Sequence, residues 1–333
     1  MKKIAINGFG RIGRAFLRSI LLDENAKKKL DVVAINIGPG DPNLISQLFQ
    51  YDSIFGKYEG NIEYKDQHLN INGYKVKVLN EINPKKINWK ALNISWVVEA
   101  TGKFCKKENA LKHINSGAKK VLITAPAPDV DITIIPGVNN DQYQDSKHNI
   151  VSLGSCTTNC FAPMVKVIKE SFTLTGGLMT TIHSYTNDQV LLDVEHKDPR
   201  RARAAALNII PTATGADKVI TQIYPELAGK IKAKSIRVPT PNVSLVDFTF
   251  PTKEVLEVKT INTVFKNYAN NQLKNIIEYC DKPLVSSDFI QNSNSCIFDS
   301  LLTESIGNIS KVFGWYDNEF GYSCRLKDFL LHI

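Results

Sequence analysis

The chain has 333 residues, 43% of them hydrophobic and 22% charged, with no low-complexity tract and no internal repeat; this excludes a disordered or fibrous protein and allows two domains with real cores. No apolar run reaches membrane-spanning length, and six cysteines scattered through so long a chain suit a reducing compartment rather than a disulfide framework. The net charge of +8 admits nucleic acid or an anionic small substrate, but the lysines are spread (Lys27-Lys28-Lys29, Lys85-Lys86, Lys119-Lys120) as on a solvated surface.

Residues 2–6 read as a strand, with no apolar segment of signal-peptide length, so the cytoplasm is the expected compartment and no membrane partner is expected. Gly8-Phe9-Gly10-Arg11-Ile12-Gly13 follows, then a helix to about residue 22. A strand at 31–36, a helix at 43–51, a hairpin over 68–79 turning at Asn72-Gly73, a strand at 95–100, a helix at 106–116 and strands at 120–123 and 132–135 complete the N-terminal half. This order predicts an α/β, Rossmann-type domain: a mostly parallel sheet with helices on both faces. Between a strand and a helix, the glycine pattern predicts dinucleotide binding. Gly8 permits the tight turn, Gly10 the approach of a pyrophosphate, and Gly13 close packing of helix on strand, with Arg11 and Ile12 at the helix N-terminus. The second strand should end in a carboxylate for the adenine ribose, yet it ends Ala34-Ile35-Asn36-Ile37, and the next acid is Asp41.

The apolar run 149–153 is broken by Gly154 and followed by a helical pattern over 156–171, which puts Cys156 on the first turn of a helix. The free N–H groups and positive dipole end there predict a lowered thiol pKa and a reactive sulfur. A buried structural cysteine is the plainer alternative. A strand at 177–184 ends in His183, which is either satisfied structure or an imidazole partner for the cysteine. The loop 186–203 carries Arg200, Arg201 and Arg203, as solvated or subunit-contacting groups or with one arginine at an anion site. A helix at 214–224, long strands at 231–238 and 243–250, a helix at 258–274, and strands at 296–298 and 309–316 predict an α+β domain. Its large, mostly antiparallel sheet is expected to pair the long strands in sequence order. The last helix spans 318–333, capped by Asp317 or Asn318. The expected division is 1–153 for the dinucleotide-binding domain, 154–317 for the catalytic domain and 318–333 for a helix returning to the first.

Six stretches carry a resemblance: residues 6–14 around the glycines, Tyr51-Asp52-Ser53, Ser155-Cys156-Thr157-Thr158-Asn159-Cys160, His183-Ser184-Tyr185-Thr186-Asn187-Asp188-Gln189, Arg237-Val238-Pro239-Thr240, and Gly314-Trp315-Tyr316-Asp317-Asn318-Glu319. Their order and spacing hold end to end. The chain resembles the phosphorylating glyceraldehyde-3-phosphate dehydrogenases. The resemblance implies Cys156 as nucleophile and His183 as its acid–base partner. It implies Thr186 and Arg237 at the substrate's phosphate, and Ser155, Thr157, Arg201, Thr214 and Gly215 at the attacking inorganic phosphate. Gly8, Gly10, Arg11, Ile12, Gly13, Ile37, Thr101, Thr124 and Asn318 fall at coenzyme positions, and no metal is implied. NAD is the expected coenzyme, with NADP possible, and a homotetramer is the expected assembly. The reaction implied is oxidation of glyceraldehyde 3-phosphate to 1,3-bisphosphoglycerate. Erythrose-4-phosphate dehydrogenase is a related alternative. An RNA-binding protein with a dinucleotide fold is an alternative of another class, supported only by the charge, and nucleic acid is not the expected primary partner. Gly154, Phe320, Ile37 and Ile82 stand where the family more often has alanine, tryptophan, aspartate and arginine, and the last two bear on the coenzyme.

Overall fold

The computed structural model describes residues 1–333, which form two compact units: Met1–Ile134 with Asn140–Gly154 and Ser323–Ile333, and Ile135–Asn139 with Ser155–Tyr322. In the first unit the strands are β1 (Lys2–Asn7), β2 (Leu30–Asn36), β3 (Tyr51–Asp52), β4 (Gly56–Lys57), β5 (Ile62–Lys65), β6 (His68–Ile71), β7 (Tyr74–Leu79), β8 (Trp96–Glu99), β9 (Lys120–Ile123), β10 (Ile132–Thr133) and β11 (Ile150–Ser152). Its helices are α1 (Arg11–Leu21), α2 (Glu24–Lys29), α3 (Pro42–Gln50) and α4 (Lys107–Asn115). Nine strands form one sheet in the order β10-β11-β9-β8-β1-β2-β7-β6-β5, parallel except where the β5–β6–β7 meander runs back and forth at one edge. The central strands β1, β8 and β9 are buried almost throughout, as strands covered on both faces must be.

The second unit holds α5 (Cys156–Ser171), β12 (Gly177–Ser184), β13 (Ile210–Thr212), α6 (Ala216–Ile223), β14 (Ile231–Val238), β15 (Ser244–Pro251), α7 (Val258–Asn270), β16 (Ile277–Cys280), β17 (Cys296–Asp299), β18 (Glu304–Ile306) and β19 (Ile309–Tyr316). Its eight strands run β13-β14-β12-β15-β19-β17-β16, with β18 on β19; most pairs are antiparallel, but β12–β14 and β16–β17 are parallel. The long strands β14 and β15 do not pair with each other as sequence order suggested. They flank β12 on its two sides. Their connection contains Pro239 and Pro241 and a left-handed Val243 (φ 65°), which prevent a tight hairpin and carry the chain over the end of β12. The strand ending in His183 therefore lies inside the sheet.

One face of this sheet packs under α5, α6 and α7 around Phe161, Met164, Phe248, Phe250, Phe265 and Val312, with Phe265 stacked on Phe298 at 3.9 Å. The other face is covered near β17 and β19, where Phe289 stacks on Trp315. Across β12 and β18–β19 it is open: Leu178 is 67% exposed and Ile306 80%. The terminal helix α8 (Phe320–His332) starts two residues later than expected, while the expected Asp317 cap is present, its carboxylate taking the N–H groups of Glu319 and Phe320 at 2.9 and 2.8 Å. Asn318 thus lies ahead of the helix, in the second unit.

Candidate active site

In the second unit, Ser155 caps α5. Its hydroxyl accepts the N–H of Thr158 at 3.1 Å, and the Asn159 amide donates to its carbonyl at 2.9 Å. Cys156 is therefore the first helical residue, and the N–H groups of Cys156 and Thr157 and the Thr157 hydroxyl favour the charged form of its sulfur. His183 Nε2 lies 3.6 Å from the Cys156 sulfur. His183 Nδ1 lies 2.6 Å from the Ser184 carbonyl oxygen, which can only accept. Arg237 Nη1, which can only donate, stands 3.1 Å from the same Nδ1, but the carbonyl is closer and the Arg237 N–H has that carbonyl as its own acceptor at 2.9 Å, so Nδ1 is assigned the proton and the Nε2 lone pair faces the thiol.

The electrostatics correct one expectation. Burial pushes the Cys156 thiol up, although Arg237 and the first-turn N–H groups oppose it. Burial, and then the Arg237 charge, bring His183 down to about 3. The resting pair is a thiol and a neutral imidazole, and the lowered thiol pKa expected from the helix end is not found. An edge of Cys156 reaches solvent, but the sulfur itself is crowded by protein, and an uncharged imidazole cannot offset that desolvation.

Arg237 donates to the Ser184 carbonyl at 2.9 Å and to the Thr186 hydroxyl at 3.4 Å, so Cys156, His183, Thr186 and Arg237 meet in one cluster. Its buried Nε has no protein partner and is left as an unspent donor. Arg201 is ion-paired to Asp188 and donates to the Thr212 hydroxyl at 3.0 Å, and its charge bears on both Arg237 and His183. Thr214 and Gly215 lie just beyond Thr212 and open α6, Gly215 as its N-cap without a side-chain bond. Asn318 Oδ1 accepts the Ser184 and Ser244 hydroxyls at 2.8 and 3.0 Å.

Several groups here were given no role from the sequence. The buried Tyr316 hydroxyl joins Thr157 (2.9 Å) to Thr181 (2.8 Å), tying the first turn of α5 to β12, and its ring meets the His183 ring edge-on at 5.9 Å. At the end of an apolar strand it reads as core. Asp188 and Asp198, which hold Arg201 and Thr212, read as loop acids.

The first unit has its own cavity of about 500 Å³ at the C-terminal ends of β1, β2 and β8, lined by Gly8, Gly10, Ile37, Asp41, Thr101 and Phe104 among others. A Cβ on Gly8 (φ +96°) would stand 2.7 Å from the Thr101 nitrogen, and one on Gly13 2.3 Å from the Gly8 carbonyl oxygen, whereas beside Gly10 the space is open. The turn is thus built to bring backbone close to a ligand, and α1 begins at Arg11 and Ile12 with no side-chain bond from its N-cap Gly10, so the positive end of the helix stands at the cavity wall. A dinucleotide fits this cradle. Arg11 is ion-paired to Asp52 and stacked over Phe55. The Thr124 hydroxyl and N–H both donate to the Glu99 carbonyl at 3.1 Å, and Thr101 is held by the Glu99 carboxylate. Asp41 spends one oxygen capping α3, on the Asn43 N–H at 2.9 Å, but stays in the cavity wall.

A glycine cradle in one unit and a cysteine–histidine pair beside two arginines in the other define a dinucleotide-dependent oxidoreductase with an anion-binding site. A family model described as glyceraldehyde 3-phosphate dehydrogenase, NAD binding domain, matches residues 2–107, and one described as the C-terminal domain of the same enzyme matches residues 155–318. A glyceraldehyde-3-phosphate dehydrogenase of Priestia megaterium is 48% identical over 332 residues, covering 99% of this chain and 98% of that protein. Glyceraldehyde-3-phosphate dehydrogenase 2 of Bacillus subtilis is 46% identical over 332 residues, covering 99% and 96%. The Geobacillus stearothermophilus enzyme is 46% identical over 332 residues, covering 99% and 98%. The chain belongs to the glyceraldehyde-3-phosphate dehydrogenase family.

Proposed function

We propose that the protein oxidises glyceraldehyde 3-phosphate to 1,3-bisphosphoglycerate with inorganic phosphate, using NAD. The observation that carries this reading is the Nε2 lone pair of His183 facing the Cys156 thiol, with the unspent Arg237 donor alongside. His183 takes the thiol proton as the sulfur adds to the aldehyde carbon, giving a thiohemiacetal on Cys156. The oxyanion that forms is met by the N–H of Cys156 and the imidazolium. Bound NAD supplies a ring that accepts hydride. The imidazolium gives its proton to the oxyanion, and the again neutral His183 takes it back as hydride departs, leaving a thioester on Cys156. Arg201, with Ser155, Thr157, Thr214 and Gly215, holds the phosphate that attacks this thioester, and the acyl phosphate leaves with Cys156 free again. Thr186 and Arg237 hold the substrate's own phosphate throughout. In the first unit, Gly8, Gly10, Arg11, Ile12, Gly13, Ile37, Thr101 and Thr124 form the coenzyme site. Asn318, its Oδ1 fixed by two serines, keeps its amide N–H groups for the carboxamide.

Six free cysteines support a reducing compartment, and we assign the protein to the cytoplasm. No helix is long and apolar enough to cross a membrane. The open sheet face of the second unit supports a homo-oligomer, read as the tetramer of the family. The test is NADH formation from glyceraldehyde 3-phosphate with and without inorganic phosphate. Phosphate-dependent NADH formation is expected. Equal rates without phosphate would mean hydrolysis of the thioester and a different enzyme.

A further inference from the structure

Behind the cavity of the first unit lies a buried polar chain that the reaction does not use directly. Glu99, at the end of β8, is 1% exposed and receives four donors. Oε2 takes the Asn7 amide at 2.6 Å and the His113 ring at 3.0 Å; Oε1 takes the Thr101 N–H at 2.9 Å and also the Thr101 hydroxyl. The ring of His113 is fully buried on α4, and the Trp89 indole N–H donates to its Nδ1 at 3.1 Å. An indole nitrogen only donates, so Nδ1 accepts and Nε2 bears the proton given to Glu99. Trp89 thereby fixes the tautomer that makes His113 a donor. Asn7 in turn accepts the Asn36 amide at 2.7 Å, and Asn36 exchanges bonds with the backbone of Glu81, accepting its N–H at 2.9 Å and donating to its carbonyl at 2.8 Å.

The chain runs across the ends of β8, β1 and β2 to the segment after β7, the edge from which the cavity opens, and Asn7, Asn36, Glu81 and Thr101 all line that cavity. No cation touches the Glu99 carboxylate; it is satisfied by neutral donors alone. Such a group holds its donors firmly, since losing the acceptor leaves several buried N–H and O–H groups unpaired at once. With its proton committed to Glu99, the Thr101 hydroxyl can only accept from a ligand.

We propose that Glu99 and His113 are positioning residues for the coenzyme, fixing Asn7 and Thr101 in the cavity wall; this rests on the assignment of the cavity to NAD. The experiment measures the Kd of NAD by calorimetric titration of the full chain, together with KM for the aldehyde and for phosphate. Glu99→Gln, nearly isosteric, puts an amide N–H against donors. His113→Leu removes one donor, and His113→Gln restores an N–H at that place. A tenfold or greater rise in Kd is expected for Glu99→Gln and His113→Leu, with little change in KM for aldehyde or phosphate at saturating coenzyme, and recovery is expected in His113→Gln. Unchanged Kd in Glu99→Gln would overturn the proposal, as would equal rises in all three constants, which would mark a merely structural role. Should His113→Leu fail to fold, Glu99→Gln decides alone. A wild type that binds no NAD would sink the assignment of the cavity instead.

Discussion

Two thiols one helical turn apart on α5 differ in everything that makes sulfur reactive. Cys156 faces His183 from the first turn. Cys160 is fully buried, donates to the Gly314 carbonyl at 3.5 Å and has its pKa driven well up by burial. Cys156→Ser is therefore expected to abolish NADH formation and Cys160→Ser to retain most of it, with iodoacetamide labelling mapped by mass spectrometry to Cys156. Labelling at Cys160 with activity kept would reverse the roles. The neutral His183 has a further consequence. Its folded pKa of about 3 lies below the ordinary 6.5, so the unfolded chain binds a proton that the folded chain does not. The His183 contribution to stability is full above pH 6.5 and is lost as pH falls toward 3. His183→Asn should flatten that part of the pH–stability curve in urea unfolding, and an unchanged acid slope would show a ring already charged in the fold. At the coenzyme site, Ile37 can neither accept from the ribose hydroxyls nor repel a 2′-phosphate. Its side chain packs beneath Gly40, while Asp41 keeps a charge in the same cavity wall and Lys103 brings a cation to it. NAD is expected to remain preferred with weakened discrimination. Ile37→Asp should raise the NAD/NADP ratio of kcat/KM, Asp41→Ala lower it, and Lys103→Ala depress NADP more than NAD. A wild type preferring NADP tenfold would make Lys103 the dominant group.

Elements whose pattern is local were legible before any coordinates. The bounds of α5, β12, β14 and β19 coincide with those read from periodicity, because each alternates or repeats cleanly between turn residues. α2 was hidden. It buries only Ala26 and is held by the Asp23 cap, so its lysine triplet reads as surface without a helix. β5 and β16 were missed as four-residue strands whose partners fix them. Cys156 and His183 were legible because a strand–glycine–helix break and a strand end are local signals. Tyr316, whose partners lie 159 and 135 residues away, was not, nor was the central place of β12, since pairing between distant strands leaves no trace in either. One such long-range fit makes a prediction for the α5–β19 contact. A Cβ on Gly314 would stand 2.6 Å from the Cys296 sulfur, 2.8 Å from that of Met164 and 3.2 Å from that of Cys160. Three sulfurs fill the space a side chain would need. Gly314→Ala should cost about 1–3 kcal/mol by overpacking. Met164→Ala on the same background should return part of it, read as a coupling in a double-mutant cycle of urea unfolding. Additive losses would mean that the strand shifts instead of the sulfurs.

For the whole molecule, the open face of the second unit's sheet is the main unexplained surface. On β12, Met179, Thr181 and His183 are buried while Leu178 stands 67% exposed, the alternation of a sheet covered on one side only. Ile306 at 80% and Ile309 at 45% extend the apolar area on the β18–β19 hairpin, beside the Lys311–Asp247 ion pair at 3.0 Å. A monomer gains nothing from large aliphatic side chains in water, and a sheet face can cover itself by meeting the same face of a second copy about a two-fold axis. Such a contact uses each residue twice, so one substitution acts at two places in every interface. Leu178→Asp should therefore lower the molecular mass found by light scattering at micromolar protein, whereas a charge change at the exposed Lys28 of the first unit should not. If assembly supports the fold, the thermal midpoint of the wild type will rise with protein concentration, and that of Leu178→Asp will lie lower and move less. A wild type that scatters as a monomer at all concentrations would leave this face to some other partner and remove the tetramer from the proposed function, without touching the cysteine, histidine and arginines that carry the chemistry.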